Sequence, residues 1–506
     1  MESFDLLVIG GGINGAGIAR DAAGRGLKVL LCEKDDLAAH TSSASTKLIH
    51  GGLRYLEYYE FGLVRKALQE RELLLDAAPH IMWPLRFVMP HDAEQRPAWL
   101  IRCGLFLYDH LARRKRLAGS QRIRFDRHPA GAPLQGRYQQ GFVYSDGWVN
   151  DARLVVLNAM DAAEHGASIR TRTACVAARR SGEQWLCTLQ DEHGQREVSA
   201  RAVVNAAGPW VQQLLGGVIH APASKAIRLV KGSHIIVKKL FDHPYAYIFQ
   251  NPDQRIIFAI PYEQDFTLIG TTDVDFHGDA NQVAIDGDEI AYLCAMSNRY
   301  FERQISPADV VATYSGVRPL LDDEHSSASG VTRDYALELD TDGAPLLSVF
   351  GGKITTYRKL AEQVMDQLAP LLGNNRPGWT AGSALPGGDL PDANFDAFLA
   401  KLQQAKPWLP ATLAARLARA YGSRVHALLG DASSLAALGR EIQPGLYEAE
   451  LHYLVEKEWA HSADDILWRR SKLRLHLPAG ADAAVEAWLA EYRARQGSDK
   501  LLLRAG

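Results

Sequence analysis

Apolar runs and glycine turns follow one another at the start of the chain in the order strand, helix, strand. Residues 4–9 form a short apolar run, which is typical of a strand buried in a parallel sheet. The glycine-rich turn 10–15 interrupts this run, and residues 16–25 then carry small apolar side chains at helical spacing. A second apolar run follows at 29–32, so the pattern predicts a βαβ unit with a right-handed crossover.

Two later segments repeat the change from an apolar run to glycine. Residues 202–205 run into Gly208, and residues 346–350 run into paired glycines that precede a helical pattern at 355–372. Ligands of open parallel sheets bind at the carboxyl ends of the strands. We therefore expect one nucleotide-binding sheet that is assembled from separated pieces of chain.

The domain organisation follows from these junctions. The predicted nucleotide-binding domain comprises residues 1–70, 146–221 and 315–373, and the predicted substrate or cap domain comprises 71–145 and 222–314. Short apolar runs between 234 and 269 are typical of an antiparallel sheet in the second of these domains. Residues 374–391 are rich in proline and glycine and predict a linker, after which helical periodicity at 392–506 predicts a C-terminal α-helical domain.

Composition and charge exclude several classes of protein. Hydrophobic residues are 47% and charged residues 23% of the 506, which excludes a disordered chain. The net charge is −3, whereas a nucleic-acid-binding domain is usually strongly basic. The five cysteines form no CxxC pair, so we predict no metal site and a reducing compartment. No targeting segment and no apolar stretch of about 20 residues is present, so we expect a cytoplasmic protein without a membrane span.

The opening glycine turn fits the dinucleotide fingerprint G-x-G-x-x-G. Gly10 permits the tight turn, Gly12 allows the backbone to approach a pyrophosphate, and Gly15 allows the helix to pack on the strand. The pyrophosphate would lie at the helix N-terminus, where free N–H groups favour an anion. Glu33 follows at the distance expected for an acceptor of ribose hydroxyls.

This fingerprint serves NAD and FAD equally, but the later junctions favour FAD. Ala207 and Gly208 resemble the second FAD contact of flavoprotein oxidoreductases, and the segment 351–355 resembles one that faces the flavin pyrimidine edge. The expected fold class is therefore α/β, with a Rossmann-like FAD-binding domain, an antiparallel-sheet cap domain and a C-terminal α-helical domain.

Longer motifs give a specific family resemblance. Residues 41–57 read TSSASTKLIHGGLRYLE, and residues 8–29 read VIGGGINGAGIARDAAGRGLKV. With YSDGWVNDARL, VVNAAGPWV, IRLVKGSHIIV, IGTTDVD, YSGVRPL and SVFGGKITTYRKLAE, they closely resemble the FAD-dependent glycerol-3-phosphate dehydrogenases, and above all the aerobic, membrane-associated bacterial type. The likeness extends to LYEAELHYLVEKEWAHSADDILWRR in the helical tail. Thr46 stands where the family often has serine, which keeps the hydroxyl.

The resemblance implies the oxidation of sn-glycerol 3-phosphate to dihydroxyacetone phosphate. A hydride would pass from C2 to the flavin N5, and a membrane quinone would accept the electrons. The cofactor contacts that we predict are Gly10, Gly12, Ile13, Asn14, Gly15, Glu33, Ser42, Ser43, Lys47, Ala207, Gly208, Gly316, Gly352, Lys353, Ile354 and Thr355.

A dianionic phosphate substrate requires fixed cations, and arginine offers paired charge-assisted hydrogen bonds. The resemblance assigns Arg54, Arg318, Arg333 and Lys353 to the substrate pocket. Tyr55 either adds a hydroxyl to the phosphate site or belongs to the core. Thr271, which we also assign to the substrate, either lines the pocket or belongs to a strand-end turn.

The catalytic set that we predict is His50, Arg318 and Lys353. His50 suits a proton acceptor near neutral pH, because its unperturbed pKa is about 6.5. Lys353 competes for this role, since burial beside a flavin and an arginine favours its neutral form. The sequence leaves the choice between the two open.

A membrane contact is expected because quinones reside in the bilayer. Most residues of 98–111 are apolar, and seven basic residues against one acid follow between 113 and 127. This segment is either an amphipathic anchor for an anionic lipid surface on the inner face of the cell membrane or an ordinary core helix with a solvated loop. We also expect a homodimer and no nucleic-acid partner.

Three other functions compete with this interpretation. They are a same-fold oxidase that uses oxygen, the catalytic subunit of an anaerobic iron–sulfur complex, and a catalytically silent FAD-fold membrane scaffold or tRNA-modification partner. The closer likeness to the dehydrogenases argues against the first, the missing CxxC against the second, and the intact Arg54, Arg318 and Lys353 against the third.

Overall fold

The computed structural model describes residues 1–92, 95–222, 225–253, 255–321 and 334–505, with the side chains of 497–505 left undescribed. The strands are β1 Glu2–Ile9, β2 Val29–Cys32, β3 Leu48–Ile49, β4 Met82–His91, β5 Gln121–Arg124, β6 Gln140–Val149, β7 Ser168–Arg170, β8 Ala174–Ser181, β9 Gln184–Asp191, β10 Gly194–Asn205, β11 Ile227–Lys238, β12 Ala246–Gln250, β13 Ile256–Tyr262, β14 Phe266–Gly270, β15 Val274–Asp275, β16 Val310–Leu321, β17 Tyr335–Asp340, β18 Leu346–Gly351, β19 Glu441–Gln443 and β20 Leu446–Tyr447.

The helices are α1 Ile13–Gly24, α2 Phe61–Ala77, α3 Ala98–His110, α4 Asp151–Glu164, α5 Val211–Leu214, α6 Gly287–Asn298, α7 Tyr357–Leu368, α8 Phe395–Ala405, α9 Ala411–Tyr421, α10 Val425–Leu429, α11 Glu448–Glu458 and α12 Ala481–Ala505. Within the described ranges, none of them is both long enough and apolar enough to cross a bilayer.

The three predicted strand-to-glycine junctions are neighbours in one sheet. Its strand order is β17-β18-β10-β1-β2-β7, and β1 lies parallel to both β10 and β2. In the register, Ile9 pairs with Asn205 and Asn205 pairs with Ser348, so the carboxyl ends of β1, β10 and β18 lie side by side. The expected assembly of one sheet from distant segments is confirmed.

Two elements of this sheet begin earlier than the apolar pattern predicts. Helix α1 begins at Ile13, inside the glycine fingerprint, and the Ile13 N–H donates to the Ser42 hydroxyl at 3.0 Å. Strand β10 begins at Gly194, because its first half pairs antiparallel with β9 and has an exposed polar start. The burial of only one half explains why the sequence predicts the later half alone.

The second sheet is mostly antiparallel, as expected for the cap domain. Its strand order is β15-β11-β14-β13-β12-β4-β6-β3, with β16 paired to β11 and β5 paired to β6. Its core is rich in aromatic side chains, including stacked Phe249 and Tyr300. The predicted boundaries at 145/146 and 314/315 fall inside β6 and β16, which belong to this sheet throughout. The other boundaries stay predictions.

The chain divides into two compact units. The first contains Met1–Ala77 and Met82–Ser383, and the second contains Ala78–Ile81 and Ala384–Gly506. The second unit is mainly helical and has its own core, in which Leu417, Leu451 and Leu454 are buried. Its buried Glu450 accepts hydrogen bonds from Arg416 and Tyr421. The predicted α-helical C-terminal domain is thus confirmed as a fold.

Candidate active site

A cavity of about 400 Å³ lies at the carboxyl ends of β1, β10 and β18. Of the residues that we predict to bind the cofactor, the cavity is lined by Gly10, Gly12, Ile13, Asn14, Glu33, Ser42, Ala207, Gly208 and Gly352. Gly15, Ser43, Lys47, Gly316, Lys353, Ile354 and Thr355 lie outside its lining. The cavity is therefore built by the residues nearest to the three glycine junctions.

Close backbone contacts require two of the fingerprint glycines. Gly10 has φ +117°, and a Cβ atom there would lie 2.5 Å from the carbonyl oxygen of Ala206. A Cβ on Gly15 would lie only 1.9 Å from the carbonyl oxygen of Gly10. These contacts hold β1, α1 and the end of β10 together, and they leave the first turn of α1 open to the cavity.

Glu33 contacts the backbone of the fingerprint turn. One carboxylate oxygen accepts the N–H of Gly11 at 2.6 Å, and the other accepts the N–H of Asp35 at 2.8 Å. Burial raises the pKa of Glu33 despite these two bonds. Each carboxylate oxygen has a second lone pair, so the group can also accept from the hydroxyls of a ribose.

Asn14 bridges α1 and the end of β18. Its Nδ2 donates to the carbonyl oxygen of Gly351 at 3.2 Å, and Gly352 has φ +104° with its Cα close to the same amide. The buried Oδ1 of Asn14 has no donor among the described residues. At the N-terminus of α1, the Ile13 N–H donates to the Ser42 hydroxyl at 3.0 Å. This helix N-terminus, the unused acceptor and the Glu33 carboxylate fit the pyrophosphate and ribose parts of a dinucleotide such as FAD.

The rim of the cavity contains residues that the sequence did not indicate. The ammonium of Lys34 lies 4.2 Å from the ring of Trp210, and the rings of His40 and Trp210 meet at 4.6 Å. Lys34 also donates to Asn281, which comes from a connection in the second sheet. The hydrogen bond from His40, together with Lys34, lowers the pKa of Asp35 to about 2. Trp210 lies in the quoted motif VVNAAGPWV, whereas Asn281 has no local signal.

At the substrate end, the structure brings the turn 50–55 to the segment 353–355. The backbone N–H of His50 donates to the Thr355 hydroxyl at 3.3 Å. The ammonium of Lys353 lies 4.0 Å from the ring centre of Tyr55. Two residues that compete as the base, His50 and Lys353, thus belong to adjoining segments, and Tyr55 is the cation–π partner of the lysine.

The predicted arginines differ in how they are held. Arg54 is half-buried and has no hydrogen-bond or ion-pair partner in the described part of the chain. Arg318 donates to Asp273 at 2.6 Å and to the Thr272 carbonyl oxygen at 3.0 Å. Thr271 lies beside it, because a Cβ on Gly232 would contact both the Arg318 guanidinium and the Thr271 hydroxyl. Arg333 lies outside the described residues.

The strand that carries Arg318 also contacts the loop after Glu33. The Thr41 hydroxyl donates to the Val317 carbonyl oxygen at 2.6 Å, and Gly316 faces Ala44 so closely that a Cβ would lie 2.7 Å from it. Pro319 lines the cofactor cavity. Gly316 therefore supports the loop, and β16 connects the cofactor cavity to the Arg318 site.

Lys47 is bound within the loop that follows Glu33. Its ammonium donates to both Asp151 oxygens and to the Ser43 carbonyl oxygen, each at 2.9 Å, and the side chain is buried. The buried ammonium thereby holds the loop onto α4. Lys47 lies outside the lining of the cavity, and its contact with the cofactor stays a prediction. Ser43 donates its hydroxyl to the His40 carbonyl oxygen and is also a loop residue.

Sequence reasoning missed His234, which lies next to this loop. Its Nε2 is 3.0 Å from the Thr46 hydroxyl, and its ring stacks on Tyr314 at 4.7 Å. Burial, with the positive charges of Lys47 and Arg318, holds the pKa of His234 well below its usual value. The histidine is therefore neutral at physiological pH. Its position in the quoted motif IRLVKGSHIIV was the available signal.

Comparisons with known proteins agree with this geometry. The model of the family described as FAD dependent oxidoreductase matches residues 5–358, and the model described as the C-terminal domain of alpha-glycerophosphate oxidase matches residues 379–499. A D-erythritol 1-phosphate dehydrogenase of Brucella abortus is 54% identical over 96% of this chain and 98% of its own length. A glycerol-3-phosphate dehydrogenase of Pseudomonas aeruginosa is 54% identical over 94% of this chain and 93% of its own.

A solved structure extends the likeness to the fold. The glycerol-3-phosphate dehydrogenase from Bacillus halodurans, complexed with FAD, superposes with a TM-score of 0.77 and 29% identity and covers 97% of this chain and 90% of its own. FAD is accordingly the cofactor that the cavity receives. The chain belongs to the FAD-dependent glycerol-3-phosphate dehydrogenase family.

Proposed function

We propose that this protein oxidises sn-glycerol 3-phosphate at C2 to dihydroxyacetone phosphate. The observation that carries the proposal is Arg54, which is unpaired among the described residues and lies in the same turn as Tyr55, whose ring contacts Lys353. A half-buried guanidinium in a turn whose next residue contacts an ammonium favours a dianionic ligand, because burial strengthens each charge-assisted bond. The 54% identity to a glycerol-3-phosphate dehydrogenase supports the same substrate.

Each residue of the site has a separate role in this proposal. Arg54 binds the phosphate, Asp273 fixes the Arg318 guanidinium beside the carbinol, and His50 or Lys353 accepts the hydroxyl proton at C2. FAD, when bound, supplies the acceptor for the hydride. Arg333 belongs to the phosphate contacts by family resemblance.

Anaerobic titration tests this activity directly. The protein should carry bound FAD, and glycerol 3-phosphate should bleach the oxidised flavin absorbance in the absence of oxygen. Plain glycerol is the matched control, because it has the same carbinol and lacks the phosphate. A flavin that neither alcohol bleaches would favour the catalytically silent scaffold.

D-erythritol 1-phosphate is a second candidate substrate. The observation in its favour is that the D-erythritol 1-phosphate dehydrogenase of Brucella abortus is as similar to this chain as the glycerol-3-phosphate dehydrogenase is. Both compounds pair a terminal phosphate with neighbouring hydroxyls, and the erythritol compound is one carbon longer. The ratio of kcat/KM for the two phosphates, measured on one preparation, decides between them.

For the electron acceptor we infer a membrane quinone, reached from the cytoplasmic face. Helix α3 supports this choice: Leu105 and Tyr108 are buried, whereas Trp99, Leu100, Phe106 and Leu107 are between 41% and 68% exposed. An exposed apolar helix face followed by basic residues is typical of a peripheral membrane contact. In the described residues Arg113 is unpaired, whereas Lys115 and Arg116 contact Asp76.

A charge-removal variant tests the membrane contact. Replacing Arg113, Arg114, Lys115 and Arg116 by Ser should release the protein from anionic vesicles and lower its quinone reductase activity, while activity with a soluble dye persists. Replacing the exposed Arg196 and Arg201 by Ser is the control, since both belong to β10 in the other sheet. If the fourfold variant still floats with anionic vesicles as the wild type does, this anchor is contradicted. Fast turnover with oxygen as the sole electron acceptor would favour an oxidase.

A sedimentation measurement on the same preparations tests the expected homodimer.

A further inference from the structure

A buried hydrogen-bond network lies behind the turn that carries His50 and Arg54. The backbone N–H of Gly51 donates to the Tyr108 hydroxyl at 2.8 Å and approaches Asp146 Oδ1 at 3.3 Å. The Tyr108 hydroxyl lies 2.8 Å and 2.9 Å from the two oxygens of Asp146. Because a hydroxyl has one proton, Tyr108 donates to Asp146 and accepts from Gly51.

Arg71 completes the network from helix α2. Its Nη1 donates to Asp146 Oδ1 at 2.6 Å and to the Ser145 carbonyl oxygen at 3.0 Å. Tyr108, Asp146 and Arg71 are each 3% exposed or less. A buried ion pair of this kind adds little to stability compared with apolar side chains of the same size. A network of charged and polar groups at this depth therefore calls for a reason other than stability.

The protonation states of the network are compatible with the donor pattern. Burial, reinforced by the charge of Asp146, raises the pKa of Tyr108 well above its usual value, so the hydroxyl stays protonated. Burial raises the pKa of Asp146, and the neighbouring Arg71 opposes that effect. The hydroxyl consequently presents one fixed lone pair to the Gly51 N–H.

The backbone at Gly51 is packed closely against its neighbours. A Cβ on Gly51 would lie 2.5 Å from Leu68 and 2.7 Å from the Tyr108 hydroxyl, so the backbone is pressed against the tyrosine. Gly52 then has φ +78°, and the short 3₁₀ helix Leu53–Tyr58 begins directly after it. On the other side, His50 has its own bond to Thr355. The Gly51 bond thus lies directly before the turn that leads to Arg54.

We propose that Tyr108, held by Asp146 and Arg71, is a positioning residue that fixes the Gly51 amide and thereby directs Arg54 to the phosphate of the substrate. The inference rests on the proposed function, since Arg54 is the phosphate ligand there. It assigns no chemistry to Tyr108. Because His50 is held independently, a loss of the hydroxyl should affect substrate affinity more than the chemical step.

The substitution Tyr108→Phe tests the proposal with the smallest change. KM for glycerol 3-phosphate should rise by about 3–10-fold, as expected for one lost hydrogen bond, while kcat per bound flavin stays within about twofold. Tyr138→Phe is the matched control. Tyr138 is also buried in this unit, and its hydroxyl lies 3.3 Å from the Arg299 carbonyl oxygen, away from the turn. Its KM should not change.

Amide exchange gives a readout that does not depend on turnover. In the intact holoenzyme, the segment 50–54 should exchange deuterium several-fold faster in Tyr108→Phe than in the wild type, and Tyr138→Phe should not alter this segment. Equal KM values, or equal exchange in the wild type and Tyr108→Phe, would overturn the positioning role. If the wild type fails to oxidise glycerol 3-phosphate, the proposed function fails, and the exchange comparison alone decides the role of Tyr108.

Discussion

The cofactor end and the substrate end of this site are built by different means. At the cofactor end, close backbone contacts determine the shape of the cavity. Gly15 approaches the Gly10 carbonyl so closely that a Cβ on Gly15 would lie 1.9 Å from its oxygen. At the substrate end, charged side chains from separate elements form the site: Arg318 is held by Asp273, and Arg54 has no partner in the part of the chain that the structure describes. The cofactor end should therefore tolerate no added atom. At the substrate end, each side-chain substitution should remove only part of the activity.

The largest effect is expected for an added methyl group at the cofactor end. Gly15→Ala should yield protein without FAD, because the Cβ collides with backbone that cannot move without separating α1 from β1. Gly104→Ala is the matched control, since that glycine is also helical and has open space around it. The ratio of flavin to protein absorbance measures the outcome. Normal FAD content in Gly15→Ala would contradict the view that backbone contacts shape the cavity.

At the substrate end, removal of the base should reduce activity less than the loss of FAD does, and the FAD content should stay normal. His50→Asn should lower kcat by about 10²–10⁴-fold if His50 accepts the proton, while the FAD content stays normal. Lys353→Met is the parallel variant, because Lys353 lies in the adjoining segment. If His50→Asn remains active and Lys353→Met does not, the base is Lys353.

The next smaller effect should come from the phosphate contact. Arg54→Ala should raise KM for glycerol 3-phosphate by about 10–150-fold, which corresponds to about 1.5–3 kcal/mol for a lost charge-assisted contact. Arg65→Ala is the control, because Arg65 is exposed, equally unpaired among the described residues, and only eleven positions further along. Equal turnover of glycerol and glycerol 3-phosphate by the intact enzyme would contradict the phosphate contact.

The same contrast explains what the sequence could predict. Buried runs and glycine spacing are local, so β1, α1 and the adjacency of β10 and β18 could be predicted from them. Contacts between residues that are distant in sequence could not be predicted in this way. Lys47 binds Asp151, 104 positions away, and so has a role in the loop, although its neighbours in the motif suggest a cofactor contact. Asn281 reaches the cavity rim from the second sheet, which no spacing rule indicates.

Glu33 offers the finest test, because it is the one titratable acceptor that we assign to the cofactor end. Burial raises its pKa, and a ribose hydroxyl that donates to the carboxylate would favour the charged form. The pKa of Glu33 should therefore fall when FAD binds. By linkage, FAD should bind more weakly as the pH is lowered through the raised pKa of the free protein, and the affinity should level off above it.

We expect the Kd for FAD to rise as the pH is lowered from 7.5 through the raised pKa of Glu33, as measured by the fluorescence of free FAD after ultrafiltration. Glu33→Gln should bind FAD more weakly at pH 7.5 and should have a flatter pH dependence, because the amide offers one acceptor atom where the carboxylate offers two to the N–H groups of Gly11 and Asp35. Glu183→Gln, an exposed site on the β8–β9 turn, controls for the charge change. A pH dependence that survives unchanged in Glu33→Gln would mean that another group titrates with FAD and that Glu33 serves only the backbone of the fingerprint turn.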